Sequence, residues 1–581
     1  MPNTPNNKPA NATESTNAES TKATKSAKNI IKSAKKLLQL STQKINPTLN
    51  SANPSAPEST GLESKKADSA KIDSMKLDSK KSDSGAPESK NIESKNADSI
   101  NPTKKAAKMQ NKKSSKASSN SANANAPKMP KTPKAPKSIK TALATNAQNA
   151  TKPKKPKSPK PPKAKKPEST TPIITLKSGL NAISSFQTSA AKAQIKYKNR
   201  NDMALIFSPY PCVGAGVFTQ NKVRAACVDF DANQLAQKSP IHAIVVNSGN
   251  ANACTGAQGM RDCAECAITA GAVLGVESSS ILLASTGVIG VPLPMPKVKK
   301  GISLLAQAKS SSRQSAKDAA SAIMTTDTMP KEAAVEFIAT SGKRVRVAGI
   351  AKGSGMIHPN MATMLCFVIT NLNITQKLLQ KALSKDVKDS FNMISVDGDT
   401  STNDMVLALA NGRAQNPLIS DENDQDYQSF KKALKAITTT LARKVAQDGE
   451  GATKLITAHC QNASSKKSAR KIAKSIIASS LVKAAMFGND ANWGRILCAM
   501  GYSGAEFDAK KVDLTIASKV GEVRIMRNGE AQTIDEKKAK KILAQKEVEI
   551  LIDCKNGNKS ATAWGCDLSY DYVKINADYR S

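Results

Sequence analysis

From about Thr171 the chain alternates short apolar bursts with longer Ala- and Lys-rich stretches whose apolar positions recur at helical spacing. The bursts Met203–Phe207, Ile241–Val246, Ile281–Ala284, Arg344–Ala348, Thr363–Thr370, Met405–Leu409 and Glu547–Asp553 predict strands. The periodic stretches Arg261–Leu274, Gln376–Ser390, Tyr427–Val445 and Lys466–Ala485 predict helices, the last one stopping at a Phe487-Gly488 C-cap. This mixture predicts an α/β or α+β fold in which sheet layers are covered by helices. Residues 171–581 are enough for two cores, and Thr363 falls near their middle.

Before Thr171 the pattern is different. Residues 1–170 hold 35 lysines against 12 acidic residues, a net +23 of the chain's +40, and contain no Phe, Tyr, Trp, Arg or Cys. Such a stretch cannot bury enough apolar surface to offset its chain entropy, so a long disordered extension is expected. Within it an acidic residue followed by Ser recurs every five positions from Glu58 to Asp98, a period that gives no continuous helical stripe. The Lys/Pro alternation of 128–167 predicts an extended, self-repelling spacer. Ala27, Ile30, Ile31, Ala34, Leu37 and Leu38 lie at helical spacing among lysines, a basic amphipathic pattern able to rest on an anionic surface. The tail's charge suits loose phosphate contact, but without aromatics or arginine it predicts no specific nucleic-acid recognition. A solvated tail is the simpler reading.

No apolar run reaches the eighteen or so residues that span a membrane, and the first residues lack a secretory signal pattern. The ten cysteines, all between Cys212 and Cys566, have no regular spacing. Cys263 and Cys266 form a lone CxxC in an Ala-rich helical pattern with no histidine near, so they read as reduced helix residues, not metal ligands. A cytoplasmic location and no metal are expected.

Three segments carry chemistry. Lys352-Gly-Ser-Gly-Met-Ile-His-Pro-Asn-Met-Ala-Thr-Met-Leu365 leads a glycine-rich loop through Ala362 into Thr363 and a strand. A threonine there can attack the preceding carbonyl, cut the chain, and use its new α-amine as a base for its own hydroxyl. The same residue types also suit an ordinary loop entering a core strand. Ala284-Ser-Thr-Gly-Val-Ile-Gly290 follows a strand and offers a hydroxyl and backbone N–H groups of the kind that stabilise an oxyanion. Asp448-Gly-Glu-Gly-Ala-Thr-Lys454 sets an acid between glycines before a predicted strand, Lys454–Ala458. Each of the last two, alone, is equally a structural turn. His358 is read as structural, since the threonine amine makes it unnecessary as a base. Cys254 is read as a small buried residue with no activating partner.

Together these segments resemble the ArgJ family, glutamate N-acetyltransferases also called ornithine acetyltransferases. Val245–Gly256, Met324–Lys331, Ser395–Asp404, Ala491–Arg495 and Tyr572–Ser581 fit the same family, in order. The tail before residue 170 has no counterpart. The resemblance implies a layered helix–sheet sandwich of the ornithine acetyltransferase type, cut between Ala362 and Thr363 into parts 171–362 and 363–581. It implies Thr363 as nucleophile and Thr286 and Gly287 as oxyanion hole. Substrate contacts fall on Lys352, one of Thr325 and Thr326 (the latter favoured), Thr363, Glu450, Asn576 and Ser581.

The implied reaction moves an acetyl group from N-acetylornithine to glutamate through an acetyl-threonine, in arginine biosynthesis. No cofactor is implied, with acetyl-CoA a second donor in bifunctional members; the cut halves form an α₂β₂ heterotetramer. Two departures from the family pattern are Gln447, where a basic residue is usual, and Ala348-Gly349, where the loop has Gly-Gly. Two other readings stay open from residues alone: an amidohydrolase or aminopeptidase with the same nucleophile, and a basic scaffold protein working through its tail.

Overall fold

The computed structural model describes residues 171–358 and 364–577. The extension 1–170, the expected cleavage-site residues Ala362 and Thr363, and Ser581 lie outside the described residues.

Two sheets organise this part. In chain order the first takes β1 (Ile174–Leu176), β2 (Gln187–Ala191), β3 (Met203–Phe218), β4 (Ile241–Asn250), β5 (Ile281–Val288), β6 (Lys331–Ile338), β7 (Arg344–Lys352) and β8 (Leu365–Thr370). The second opens with β9 (Ile394–Ser395), and β10 (Met405–Ala410) returns to the first. The rest of the second is β11 (Leu455–Ala463), β12 (Asp513–Ser518), β13 (Gly521–Arg527), β14 (Glu530–Ala531), β15 (Glu547–Asp553) and β16 (Lys559–Cys566). The first sheet runs β1-β6-β7-β8-β10-β3-β4-β5, with β2 also on β3; the second runs β14-β13-β12-β15-β11-β16-β9.

The helices are α1 (Ala226–Ala236), α2 (Gly256–Leu274), α3 (Met295–Ala308), α4 (Arg313–Ala322), α5 (Gln376–Asp386), α6 (Gln425–Gln447), α7 (Lys466–Ala478), α8 (Ser480–Phe487), α9 (Trp493–Gly501), α10 (Glu536–Leu543) and α11 (Tyr570–Ala577). Helices α1 to α4 cover one face of the first sheet, and α6 lies between the two sheets, packed on β6, β7 and β16. This is the layered arrangement of sheets and helices expected.

The two central strands explain why their sequences read as unbroken apolar runs. In β8, Leu365, Phe367 and Ile369 join the core under α1–α4, while Cys366 and Val368 join the core shared with α5, α6 and the second sheet. Alternate residues of β10 divide the same way. Both faces are dry, so no polar alternation is selected. There are two cores, as expected, but they divide by sheet face and not at Thr363. Strand β7, before the expected cut, pairs antiparallel with β8, after it, and β8 pairs in parallel with β10.

Element boundaries shift where caps decide them. The predicted helix Lys466–Ala485 is two helices, because Ser479 leaves helical geometry (φ −70°, ψ 115°) and its hydroxyl accepts from Val482 N–H to start α8. Its stop at Phe487 holds, with the Gly488 N–H bonded to Ala484 O. The strand expected from Thr363 is described from Leu365, the one expected at Lys454 begins at Leu455, and the helix expected to reach Ser390 ends at Asp386. Ala348 and Gly349 lie inside β7, not in a loop.

Candidate active site

The site forms where four strand ends meet. The C-terminal end of β7 brings Lys352, the start of β8 brings Met364 and Leu365, and the residues before β10 bring Ser401 to Asp404. The end of β5 brings Thr286 and Gly287. Asn403 ties the approach to β10 to β5 and to the residue after β4: its buried amide donates to Ala251 O (2.6 Å) and Ser285 O (2.8 Å). The result is a cavity of about 420 Å³ lined by Thr286, Gly287, Thr325, Thr326, Lys352, Glu450 and Asn576, with Met364 at its wall. Every proposed site residue within the described part therefore lines one cavity.

Gly287 cannot be replaced in kind. Its φ is +135°, and a Cβ would collide with the backbone of Gly249 and Asn250 on β4. That close approach, at a register shift between β4 and β5, turns the Thr286-Gly287 backbone toward the cavity. Thr286 Oγ1 lies 3.4 Å from Lys352 Nζ, which donates a stronger bond, 2.7 Å, to Thr325 Oγ1. Thr326 lines the same cavity beside it.

Sequence reasoning missed the charges that hold Lys352. Asp327, fully buried, lies 3.9 Å from Lys352 Nζ and 2.6 Å from Lys331 Nζ. It also accepts from Gly353 N–H (2.6 Å) and Thr325 N–H (3.1 Å). Lys331, equally buried, reaches on to Asp448 at 2.5 Å, and Asp448 receives the Thr328 amide and hydroxyl. Burial alone would push the Asp327 carboxyl up, but the Lys352 and Lys331 charges and the Gly353 N–H hold it down, to about 2. Burial lowers the Lys352 pKa, opposed first by Asp327. The available signal was the charged residues Asp327, Lys331 and Asp448 themselves, inside the runs Met324–Lys331 and Asp448–Lys454.

Glu450 is delivered by the turn after α6. Its N–H donates to Ser354 O at 3.0 Å, and Ser354 Oγ donates to Asp448 O at 2.6 Å, locking the turn against the loop after β7. Asn576, from α11, donates to Glu450 Oε2 at 2.8 Å. Gly355 faces the carboxylate so closely that a Cβ would collide with it. Met356, at φ +54°, and Ile357 both donate amides to Asp397, which fixes the rest of the loop.

His358 stands outside the cavity lining. Its Nδ1 is 3.0 Å from Ser395 Oγ, its carbonyl accepts from Thr400 Oγ1, and burial with the Lys474 charge lowers its pKa to about 4. A neutral, hydrogen-bonded ring fits the structural role expected. Cys254 corrects an expectation: it is exposed, in a left-handed turn (φ +57°), not buried. Cys263 and Cys266 are buried free thiols in α2, pushed up by desolvation, Cys266 to about 12. Among the described residues no group of three or more His, Cys, Asp or Glu is placed to hold a metal, and no helix is long and apolar enough to cross a membrane. Gln447 ends α6 and lines a neighbouring depression with Thr328 and Lys574.

The sequence from 187 to 581 matches the model of the ArgJ family. The chain belongs to the ArgJ family. The ArgJ match covers the whole of the described site and leaves the basic extension aside. An arginine biosynthesis bifunctional protein, ArgJ 1, from Clostridium acetobutylicum is 52% identical over 400 residues, which is 68% of this chain and 96% of that protein. The ArgJ of Caldanaerobacter subterraneus is 51% identical over 396 residues, 68% of this chain and 97% of its own. A crystal structure of ArgJ from Bacillus halodurans, 44% identical, covers 36% of this chain and 95% of that chain with a TM-score of 0.34. The chain is an acetyltransferase of arginine biosynthesis.

Proposed function

We propose that the chain cuts itself between Ala362 and Thr363 and then transfers acetyl from N-acetylornithine to glutamate by a ping-pong route. Thr363 Oγ attacks the acetyl carbonyl while the threonine's own α-amine takes the hydroxyl proton. The Thr286 hydroxyl and Gly287 N–H receive the oxyanion. Ornithine leaves with the proton, and the amine of glutamate then displaces the threonine ester. Lys352 holds the α-carboxylate shared by both substrates as a point charge. Glu450 holds the δ-ammonium of ornithine, with Asn576 and Ser581 completing the hydrogen bonds. The reaction as written needs no metal or redox group, and acetyl-CoA is assigned as a second acetyl donor. The cut halves stay paired in an α₂β₂ assembly, working in the cytoplasm.

The observation carrying this reading is the convergence of Thr286, Gly287, Lys352 and Glu450 on a single cavity walled by Met364, the residue joined to Thr363. The test is denaturing electrophoresis with a transfer assay. Wild type should give fragments 1–362 and 363–581 and acetylate glutamate, and Thr363→Ala should remain one inactive band. An uncut, inactive wild type would overturn the reading. Net hydrolysis of N-acetylornithine without glutamate acetylation would assign an amidohydrolase instead.

A further inference from the structure

One carboxyl in the cavity has no task in the scheme above. Asp404 lines it, is only 2% exposed, and its Oδ2 has no hydrogen-bond partner among the described residues. A buried polar atom left this way is costly unless a partner arrives during function. Ser401 hydrogen-bonds the same carboxyl. Among the described residues the full charge acting on it is that of Lys352, which is already taken by Thr325 Oγ1 at 2.7 Å and Asp327 at 3.9 Å.

The strand register says what stands opposite. Met405 pairs with Leu365 in the parallel β8–β10 ladder, and Met405 N–H donates to Met364 O at 3.0 Å. Asp404 and Met364 are therefore level with each other on adjacent strands, and residue 363 is one peptide away. In the continuous chain the nitrogen of residue 363 is an amide and carries no charge. Burial then pushes the Asp404 carboxyl well above the usual carboxylate range, against Ser401 and Lys352. Cleavage converts that amide nitrogen into an amine, the one new cationic group the reaction creates.

Resting on the self-cleaving reading, we propose that Asp404 is a further catalytic residue, whose Oδ2 pairs with the α-amine released at residue 363. In the active form the carboxyl has lost its proton to solvent and the amine is free. As the bond from Thr363 Oγ to the acetyl carbon forms, the hydroxyl proton passes to the amine, and the resulting ammonium faces the Asp404 carboxylate. As the bond from carbon to the ornithine nitrogen breaks, that proton passes to the leaving amine. Asp404 stays ionised through the cycle and supplies the countercharge. Its field raises the basicity of the amine, against Lys352, whose own surroundings include Asp327, Lys331 and Glu450.

The experiment compares wild type with Asp404→Asn, which keeps the shape and the Ser401 contact. The amine of the 363–581 fragment is titrated by its rate of acylation with an activated ester against pH, read by mass spectrometry of the N-terminal peptide. A carboxylate near an amine raises its pKa, so removing it lowers the pKa, by about one unit, and moves the acidic limb of kcat/KM to lower pH. In the same variant kcat falls about tenfold or more while KM stays within about twofold. An amine that titrates as in wild type, in a cut and active variant, overturns the Asp404 assignment alone. A wild-type chain that is never cut overturns the reading beneath it as well. If Asp404→Asn is not cut, Asp404→Glu replaces it. Recovered cleavage with the wild-type amine titration supports the pairing, and no recovery overturns it.

Discussion

Gly355 and the Glu450 carboxylate are packed so closely that a Cβ at position 355 would overlap the carboxylate where it stands. The loop after β7 and the turn after α6 thus meet backbone to side chain, and the glycine sets where the acid points. For Gly355→Ala, Glu450 must swing away from Asn576. We expect kcat/KM for N-acetylornithine to fall at least about tenfold, about 1.4 kcal/mol of lost transition-state binding, mostly as a higher KM. Steady-state kinetics on the cut enzyme checks this; an unchanged KM would remove Glu450 from the substrate's path.

Thr286→Ala removes one of the two proposed oxyanion donors while leaving the Gly287 backbone in place. The expected loss is about 10²–10³ in kcat with little change in KM, as for other single oxyanion donors. Gly287→Ala should do more harm, because its Cβ would strike β4 and distort both donors. Kinetics of the two variants, beside their thermal melts, separates lost chemistry from lost fold.

Lys331 stands between Asp327 and Asp448 with no exposed surface. Lys331→Met leaves Asp448 buried without this cation and leaves Asp327 to Lys352, 3.9 Å away, so stability should drop by about 3–5 kcal/mol. Replacing all three with apolar or amide residues should cost less than that single change. Urea unfolding midpoints of the two variants make the comparison.

The His358 ring has an ordinary value of 6.5 and is lowered to about 4 in the fold. Between those values the unfolded chain binds a proton that the native state refuses, so stability falls as pH drops through the window. Asp327 acts with the same sign at lower pH, from the usual carboxylate range down to about 2. His358→Gln should flatten the loss of stability between pH 6.5 and 4, measured by chemical denaturation at several pH values, without abolishing transfer. A slope equal to wild type would mean the ring is not buried neutral.

Cutting after residue 362 should not separate the halves. Strands β7 and β8, from either side of the cut, pair over Val347–Lys352 and Leu365–Thr370, with apolar side chains buried on both faces. Size-exclusion chromatography without denaturant should show both fragments in one peak, and denaturant should release them together with unfolding.

Strands and helices with strong local patterns were legible in advance. Glu547–Asp553 is found where its alternation put it, and β8 and β10 declare themselves by apolar runs that only a doubly covered strand can carry. Less legible were elements whose signal is weak locally. Helix α4, Arg313–Ala322, buries mainly alanines, which give little apolar contrast. The break at Ser479 was hidden because one serine both ends α7 and caps α8, and flanking apolar residues keep helical spacing across it. Cys254 was misjudged because exposure depends on the turn it occupies, not on its neighbours in sequence.

The sequence by itself determined the chemistry on offer: a basic extension with no aromatic residue and few large apolar ones, a glycine-rich run into Thr363, and motifs whose order identifies the family. These are local facts, fixed by composition, spacing and backbone preference. Only the tertiary structure decided that Thr286, Lys352, Glu450 and Asn576 share one cavity, since they come from strands and turns up to hundreds of residues apart. It also decided which charges are neutralised. Asp327 and Lys331 are paired, while Asp404 Oδ2 has no partner among the described residues, because burial and partner distance, not residue type, set the state of a charge.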